Sequence, residues 1–157
     1  MNNNNLSLRP VTDKDEEFLF QVYASMRMDE LADLDWSQQQ LTYFINQQFQ
    51  AQQHHYKTYF YDTEFSIILD EGIPIGRLYV DRRDNEIRIV EIALLTEYRN
   101  LGIGSYWLNL ILKEAKEKNI VARIHVERYN PALNLYKKLG FQVIEEGDVY
   151  HLMECKP

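Results

Sequence analysis

The sequence predicts an α+β domain, a mixed and mostly antiparallel sheet packed by about four helices, and three observations carry that prediction. Between residues 59 and 95, β-branched and aromatic runs are broken by turn residues, the pattern of consecutive antiparallel strands. Helical periodicity marks the segments before and after them. A strand, helix, strand passage over 87–127 calls for a parallel crossover within the same sheet. At 157 residues the chain fits one domain, 1–157, because a single core serves roughly 100 to 200 residues. Its 45% hydrophobic and 13% aromatic content is enough to build that core, which excludes intrinsic disorder.

Each element has its own justification. Leu6, Leu8 and Val11 alternate with polar residues as a first strand that Arg9-Pro10 ends. Thr12 and Asp15 form a capping box, and Phe18, Leu19, Val22, Tyr23 and Met26 then mark one face of a helix over about 13–27. Ser37 and Gln40 repeat the box ahead of Leu41, Phe44, Ile45 and Phe49. The glutamine-rich stretch 38–53 therefore reads as a second helix with a solvated amide face. Phe65 to Leu69 and Ile73 to Val80 flank the hairpin turn Asp70-Glu71-Gly72, and Asp84-Asn85 supplies the next turn. Ile87, Ile89, Val90, Ile92, Ala93, Leu94 and Leu95 form a strand apolar on both faces, hence central. A helix over 103–118, a strand over 120–127, a helix over 131–138 and strand pieces Phe141 to Ile144 and Val149 to Met153 complete the chain. Asn130 is an N-cap, Pro131 suits the first helical position and Gly140 a left-handed terminator.

Seventeen Lys and Arg against 24 Asp and Glu give a net charge of −7, which repels nucleic-acid phosphates. The excess is local: residues 1–55 hold three bases and eight acids. The start Met1-Asn2-Asn3-Asn4-Asn5 lacks the basic and apolar regions of a signal peptide, and no window is apolar for long enough to span a membrane. A cytoplasmic protein without a membrane partner is expected. The single cysteine, Cys155, has no internal partner and reads as a strand residue. His54, His55, His125 and His151 make no three-ligand grouping, so no metal is expected.

The chemistry concentrates after the central strand, where Arg99-Asn100-Leu101-Gly102-Ile103-Gly104-Ser105 leads straight into a helix. Glycines let a ligand approach the backbone, the first helical turn leaves amides unpaired, and the helix dipole and Arg99 add positive potential. Together they make an anion site suited to a diphosphate. No Gly-Lys-Ser/Thr follows, which rejects a P-loop, and the three-glycine dinucleotide fingerprint is absent.

With these residues in place, the chain from about 6 to 155 resembles the GCN5-related N-acetyltransferase (GNAT) superfamily. Two stretches carry the resemblance: Ile92-Ala93-Leu94-Leu95-Thr96-Glu97-Tyr98-Arg99-Asn100-Leu101-Gly102-Ile103-Gly104 and Asn130-Pro131-Ala132-Leu133-Asn134-Leu135-Tyr136-Lys137-Lys138-Leu139-Gly140-Phe141. Asn100 departs from the Arg or Gly of many members. The resemblance implies an α/β/α sandwich with a central parallel strand pair, and acetyl-CoA as co-substrate. It also implies that amides of Leu101 to Ser105 with Arg99 hold the diphosphate, and that the edge of Leu94, Leu95 and Thr96 pairs with pantetheine like an added strand. Asn130 would bond the pantetheine arm, Tyr136 would protonate the departing thiolate, and an amide near Leu94 or Leu95 would polarise the acetyl carbonyl at a strand bulge.

An amine acceptor must lose a proton before attack, and two residues could take it. Glu91 interrupts the apolar central strand; the alternative is a structural ion pair with Arg88 or Arg123. His125 stands in a polar row with Arg123 and Glu127 on the strand from Ile120 that could line the acceptor cleft; the alternative is a structural histidine. Tyr136 could equally be a core tyrosine. The reading is therefore direct acetyl transfer to a primary amine, of a small cationic molecule or of a protein or peptide, with the acidic N-terminal helices favouring a cation. The rival is a CoA-binding sensor of the same fold without activity. Exposed aromatics such as Tyr56, Tyr59 and Tyr61 could pair subunits, and members of the family are often homodimers.

Overall fold

The computed structural model describes residues 5–60, 62–128 and 130–157. Among them, seven strands form one sheet: β1 (Leu6–Pro10), β2 (Glu64–Asp70), β3 (Ile73–Arg82), β4 (Glu86–Leu94), β5 (Val121–Glu127), β6 (Gln142–Glu146) and β7 (Tyr150–Cys155). Their order is β1-β2-β3-β4-β5-β7-β6. Every neighbouring pair is antiparallel except β4 and β5, which run parallel. The helices are α1 (Glu16–Glu30), α2 (Gln38–Tyr59), α3 (Ile103–Glu117) and α4 (Leu133–Lys138). This is the mixed sheet with a central parallel pair that the sequence predicts.

Alternation along the strands builds two cores. Ile68 of β2, Leu78 and Val80 of β3, Ile87 and Ile89 of β4, and Ala122, Ile124 and Val126 of β5 pack with Ile103, Trp107, Leu108 and Ile111 of α3 and Tyr136 of α4. On the other face Ile67 of β2 meets Leu19 and Tyr23 of α1 and Ile45 and Phe49 of α2. Adjacent residues Ile67 and Ile68 thus serve opposite cores, as the two-residue repeat of a strand requires. The outer face of α2 is glutamine-rich and exposed, with Gln38, Gln39, Gln40, Gln47 and Gln50 in solvent.

Local signals act where the residues place them. Glu71 and Gly72 both take positive φ, 52° and 80°, the requirement of a tight two-residue hairpin loop. Ser37 and Gln40 form their capping box at α2. The Thr12 box caps a single 3-10 turn, Asp13–Asp15, and α1 proper starts at Glu16, a shift from the predicted start at 13. The last helix begins at Leu133 rather than 131, because the Asn130 Oδ1 accepts the Ala132 amide at 2.8 Å and the first turn stays non-helical. Tyr56 is buried, not exposed, and so cannot serve as a surface aromatic; Tyr59 is exposed, and Tyr61 and Met1 to Asn4 lie outside the described residues.

Asp15 joins β1 to the start of α1. Its two oxygens accept both terminal nitrogens of Arg9 at 2.8 Å, and Oδ2 also accepts the Thr12 amide at 2.7 Å. The Arg9 hydrogen bonds, reinforced by that amide, lower the carboxyl from 3.8 to about 2. The charged form therefore stabilises the fold above pH 4, and that contribution is lost as pH falls through about 2. Allowing for the exposure of Arg9, it is about 1–2 kcal/mol. In urea unfolding, the stability gap between wild type and Asp15→Asn should close as pH is lowered from 5 to 2; a gap that stays constant would contradict the pairing.

Candidate active site

The parallel pairing of β4 and β5 covers only Glu86 to Ile89 against Val121 to Ile124. Beyond it β4 runs on to Leu94 bonded to β3, and β5 runs on to Glu127 bonded to β7. The facing edges of 90–94 and 125–127 have no ladder partner among the described residues, so the sheet opens into a slot at the carboxyl ends of its two central strands. A register shift marks where it opens: Val80 of β3 opposes Ile89, Tyr79 opposes Glu91, and Val90 is the extra residue of a bulge. Before the bulge Ile87 and Ile89 enter the α3 core; after it Ile92 and Leu94 do. Without Val90, Glu91 would alternate into that core. With it, Glu91 joins Tyr79 on the α2 face.

The sequence expectation that Leu94 to Thr96 form one pairing edge needs correction. The strand stops at Leu94, the Leu95 amide donates to the Ile75 carbonyl at 2.9 Å, and Thr96–Tyr98 is a 3-10 turn. Leu95 can therefore not polarise a ligand carbonyl, and the open edge lies upstream. After the turn, Asn100 and Gly102 take left-handed φ of 61° and 83°. Gly102 caps α3 without a side-chain bond, and the first backbone bond of the helix is from Tyr106 N to Gly102 O at 3.0 Å. Amides of Ile103, Gly104 and Ser105 are thus left without a backbone acceptor. A Cβ at Gly102 or Gly104 would meet nothing within 4 Å, so the turn offers open backbone, and the residues fit a diphosphate.

Arg99 is the second correction. Its guanidinium does not stand free beside this loop. Nε donates to the Leu94 carbonyl at 3.0 Å, Nη1 to Asp29 Oδ2 at 3.2 Å and Nη2 to Ser25 Oγ at 3.1 Å. It straps the end of β4 to α1. Two acceptors on α1, Asp29 and Ser25, set the direction of the side chain.

Glu91 pairs with neither Arg88 nor Arg123. Both of those contact Glu86, at 3.0 and 3.7 Å. Glu91 Oε2 instead receives the Tyr56 hydroxyl at 3.3 Å and Arg77 Nη2 at 3.5 Å. Sequence reasoning missed Arg77, Tyr56 and their neighbour Gln52. The available signal was a lone cation inside the apolar run Ile73-Pro74-Ile75-Gly76-Arg77-Leu78-Tyr79-Val80, which demands an anion on an adjacent strand.

His125, Arg123 and Glu127 do share the face of β5 opposite the core residues Ala122, Ile124 and Val126. Arg88 Nη1 lies 3.2 Å from His125 Nδ1. An arginine only donates, so Nδ1 is the acceptor and the neutral ring carries its proton on Nε2. Burial and the Arg88 charge both lower the imidazole pKa. Glu127, by contrast, is raised by burial and by the charge of Glu30. Tyr136 is buried against Phe141, with a phenol raised by burial first and by the Glu91 charge second, so it holds its proton at neutral pH. The Asn130 Oδ1 is committed to Ala132. Of the acids in the N-terminal segment, Asp15, Asp29 and Glu30 are matched by Arg9, Arg99 and Arg27. Among the described residues no cluster of three metal-ligating side chains occurs, and no helix is long and apolar enough to cross a membrane.

Comparison with known proteins agrees with this geometry. The sequence model of the acetyltransferase (GNAT) family matches residues 25–141. An N-alpha-acetyltransferase of Sulfurisphaera tokodaii is 42% identical over 60 residues, 36% of this chain and 36% of that protein. N-alpha-acetyltransferase 50 of Danio rerio is 33% identical over 78 residues, 46% of each. The chain thus spans less than half the length of these curated relatives. Among solved structures, PaiA N-acetyltransferase from Thermoplasma acidophilum in complex with coenzyme A superposes with a TM-score of 0.72 at 22% identity, covering 97% of this chain and 99% of the other. Arabidopsis thaliana Naa50 in complex with the bisubstrate analogue CoA-Ac-MVNAL gives 0.63 at 19% identity over 98% and 99%. At these identities the likeness is one of fold.

The tautomer of His125 can be measured directly. Nitrogen-detected NMR should show the proton on Nε2 and a midpoint below the ordinary 6.5. Arg88→Gln should move that midpoint upward, though not fully, because burial is the larger cause. An unchanged midpoint would contradict the contact.

Proposed function

Because this chain belongs to the GNAT acetyltransferase family, we propose that it is an acetyl-CoA-dependent N-acetyltransferase acting by direct transfer on a primary amine, with the N-terminal α-amine of a polypeptide as the favoured acceptor. The slot between β4 and β5, with open helix amides at one side and Glu91 at the other, is the observation that carries this reading. The activated acetyl group comes with the CoA thioester. Amides of Ile103, Gly104 and Ser105 hold the diphosphate at the positive end of α3, the unpaired edge of 90–94 lies along the pantetheine, and Asn130 reaches that arm through its Nδ2.

The residues on the slot divide the proton work. The acceptor ammonium gives a proton to Glu91, directly or through water, and the freed lone pair attacks the thioester carbonyl carbon as the C–S bond breaks. Tyr136, kept protonated by burial, donates to the departing sulfur, and the second proton shed by the new amide nitrogen restores its phenol through water. His125 is supported as a donor and not as the base, since its free nitrogen, Nε2, bears the proton. A polypeptide α-amine is favoured over a small polycation on two grounds. Relatives on both sides of the archaeal and vertebrate divide are named N-alpha-acetyltransferases. Three of the eight N-terminal acids are already matched by arginines, which weakens the pull on a multiply charged ligand.

A thiol-release assay with acetyl-CoA tests the reading across peptides with free and blocked N-termini, polyamines and aminoglycosides. Release with free α-amines and none with blocked ones is expected; CoA binding without release from any amine would overturn it. Glu91→Gln and Tyr136→Phe should each lower kcat by roughly 10², and an unchanged kcat for either would remove that residue from its role.

A further inference from the structure

Beneath α2 lies a fully buried cation that the transfer chemistry leaves unexplained. The Arg77 side chain has 0% exposure and that of Glu91 21%. Arg77 Nη2 donates to Gln52 Oε1 of α2 at 3.1 Å as well as to Glu91 Oε2 at 3.5 Å. The guanidinium lies over the Tyr79 ring, 5.3 Å from its centre. That ring is gripped edge-on by Tyr56 at 5.3 Å and Phe65 at 4.7 Å. The Tyr56 hydroxyl then closes the circuit on the same Glu91 oxygen that Arg77 contacts. Both donors address Oε2, and no described residue donates to Oε1.

We propose that Tyr56 and Arg77 are positioning residues that hold Glu91 by Oε2 and leave Oε1 as the oxygen that takes the acceptor's proton, an inference that rests on the reading of Glu91 as base. A carboxylate just after a bulge, on a strand edge without a ladder partner, has little else to hold its rotamer. Misplacement by about 1 Å can cost up to 10²-fold in rate. The clamp comes from two separate elements, α2 and β3, and it holds a carboxylate carried by a third, β4, against the body of the sheet. Distances of 3.3 and 3.5 Å are long for tight hydrogen bonds, so the clamp orients the carboxylate without saturating it.

A double-mutant cycle separates positioning from simple support of the fold. On the full chain, with acetyl-CoA and the most active amine of the screen, Tyr56→Phe should lower kcat about 10-fold while leaving KM for acetyl-CoA unchanged. It removes only a hydroxyl, and an unaltered far-UV dichroism spectrum would confirm that the fold persists. In a Glu91→Gln background the same change should have almost no further effect on kcat, because no carboxylate remains to be held. Arg77→Lys should retain more activity than Arg77→Met. Equal losses from Tyr56→Phe in both backgrounds, or no loss in wild type, would overturn the proposal with Glu91 still the base. Wild-type kcat in Glu91→Gln alone would instead overturn the base itself.

Discussion

Side chains on a strand must alternate between faces, and in β4 that rule is broken once, at Val90. The extra residue resets which face each later side chain meets. Ile92 and Leu94 continue the core begun by Ile87 and Ile89, at a spacing of three where two would be regular. Glu91 is delivered to the opposite face, where Tyr79, Arg77 and Tyr56 await it. Pairing with β5 ends one residue earlier, at Ile89 and Ile124, so the same irregularity sits where the sheet opens. The face that Glu91 meets is therefore set by one inserted residue, and that residue lies where the β4 and β5 ladder ends.

Everything around that bulge keeps the two strands from closing again. β5 has its other edge satisfied by six residues of β7, and β4 is bonded along its length to β3. Ile103, Trp107 and Ile111 wedge α3 beneath the pair from the core side, which places the open amides of the α3 start beside the slot. On the far side Arg99 fastens the end of β4 to Ser25 and Asp29, so α1 cannot slide without pulling on that strand. Each feature is ordinary alone. Their convergence makes a rigid frame around an unpaired gap.

Much of this is legible before any coordinates are known, because it depends on local rules. Capping boxes at Thr12 and Ser37, the Glu71-Gly72 turn, and the glycines of the loop all act through their own few residues, and strand and helix assignments follow within three positions except at the end of the second helix, which runs on from the predicted 53 to Tyr59. The glycine loop and the helix after it were readable for the same reason. What could not be read was long-range. The Val90 bulge depends on how β4 lies against β3, the partner of Glu91 comes from another strand, and Arg99 finds its acceptors some seventy residues away. Tyr56 reads as a surface residue because its helix is polar, yet it is buried. One of three tyrosines on a glutamine-rich helix gives no local hint that the sheet face beneath it holds a carboxylate.

The glutamine surface of α2 has a consequence of its own. Across Gln38–Tyr59 the histidines aside, Lys57 is the single charged side chain, so the helix is hydrated by amides and held by its cap and by buried Ile45, Phe49 and Tyr56. Its neighbour α1 also carries charge contacts to the rest of the fold, through Arg9 with Asp15 at its start and Arg99 with Asp29. Ionic strength shortens the reach of those exposed pairs and leaves amide hydration and apolar contact almost untouched. Two helices that share one apolar core on the same sheet face thus differ in what they add to it: α1 carries exposed ion pairs that salt weakens, and α2 carries an amide surface that salt barely touches.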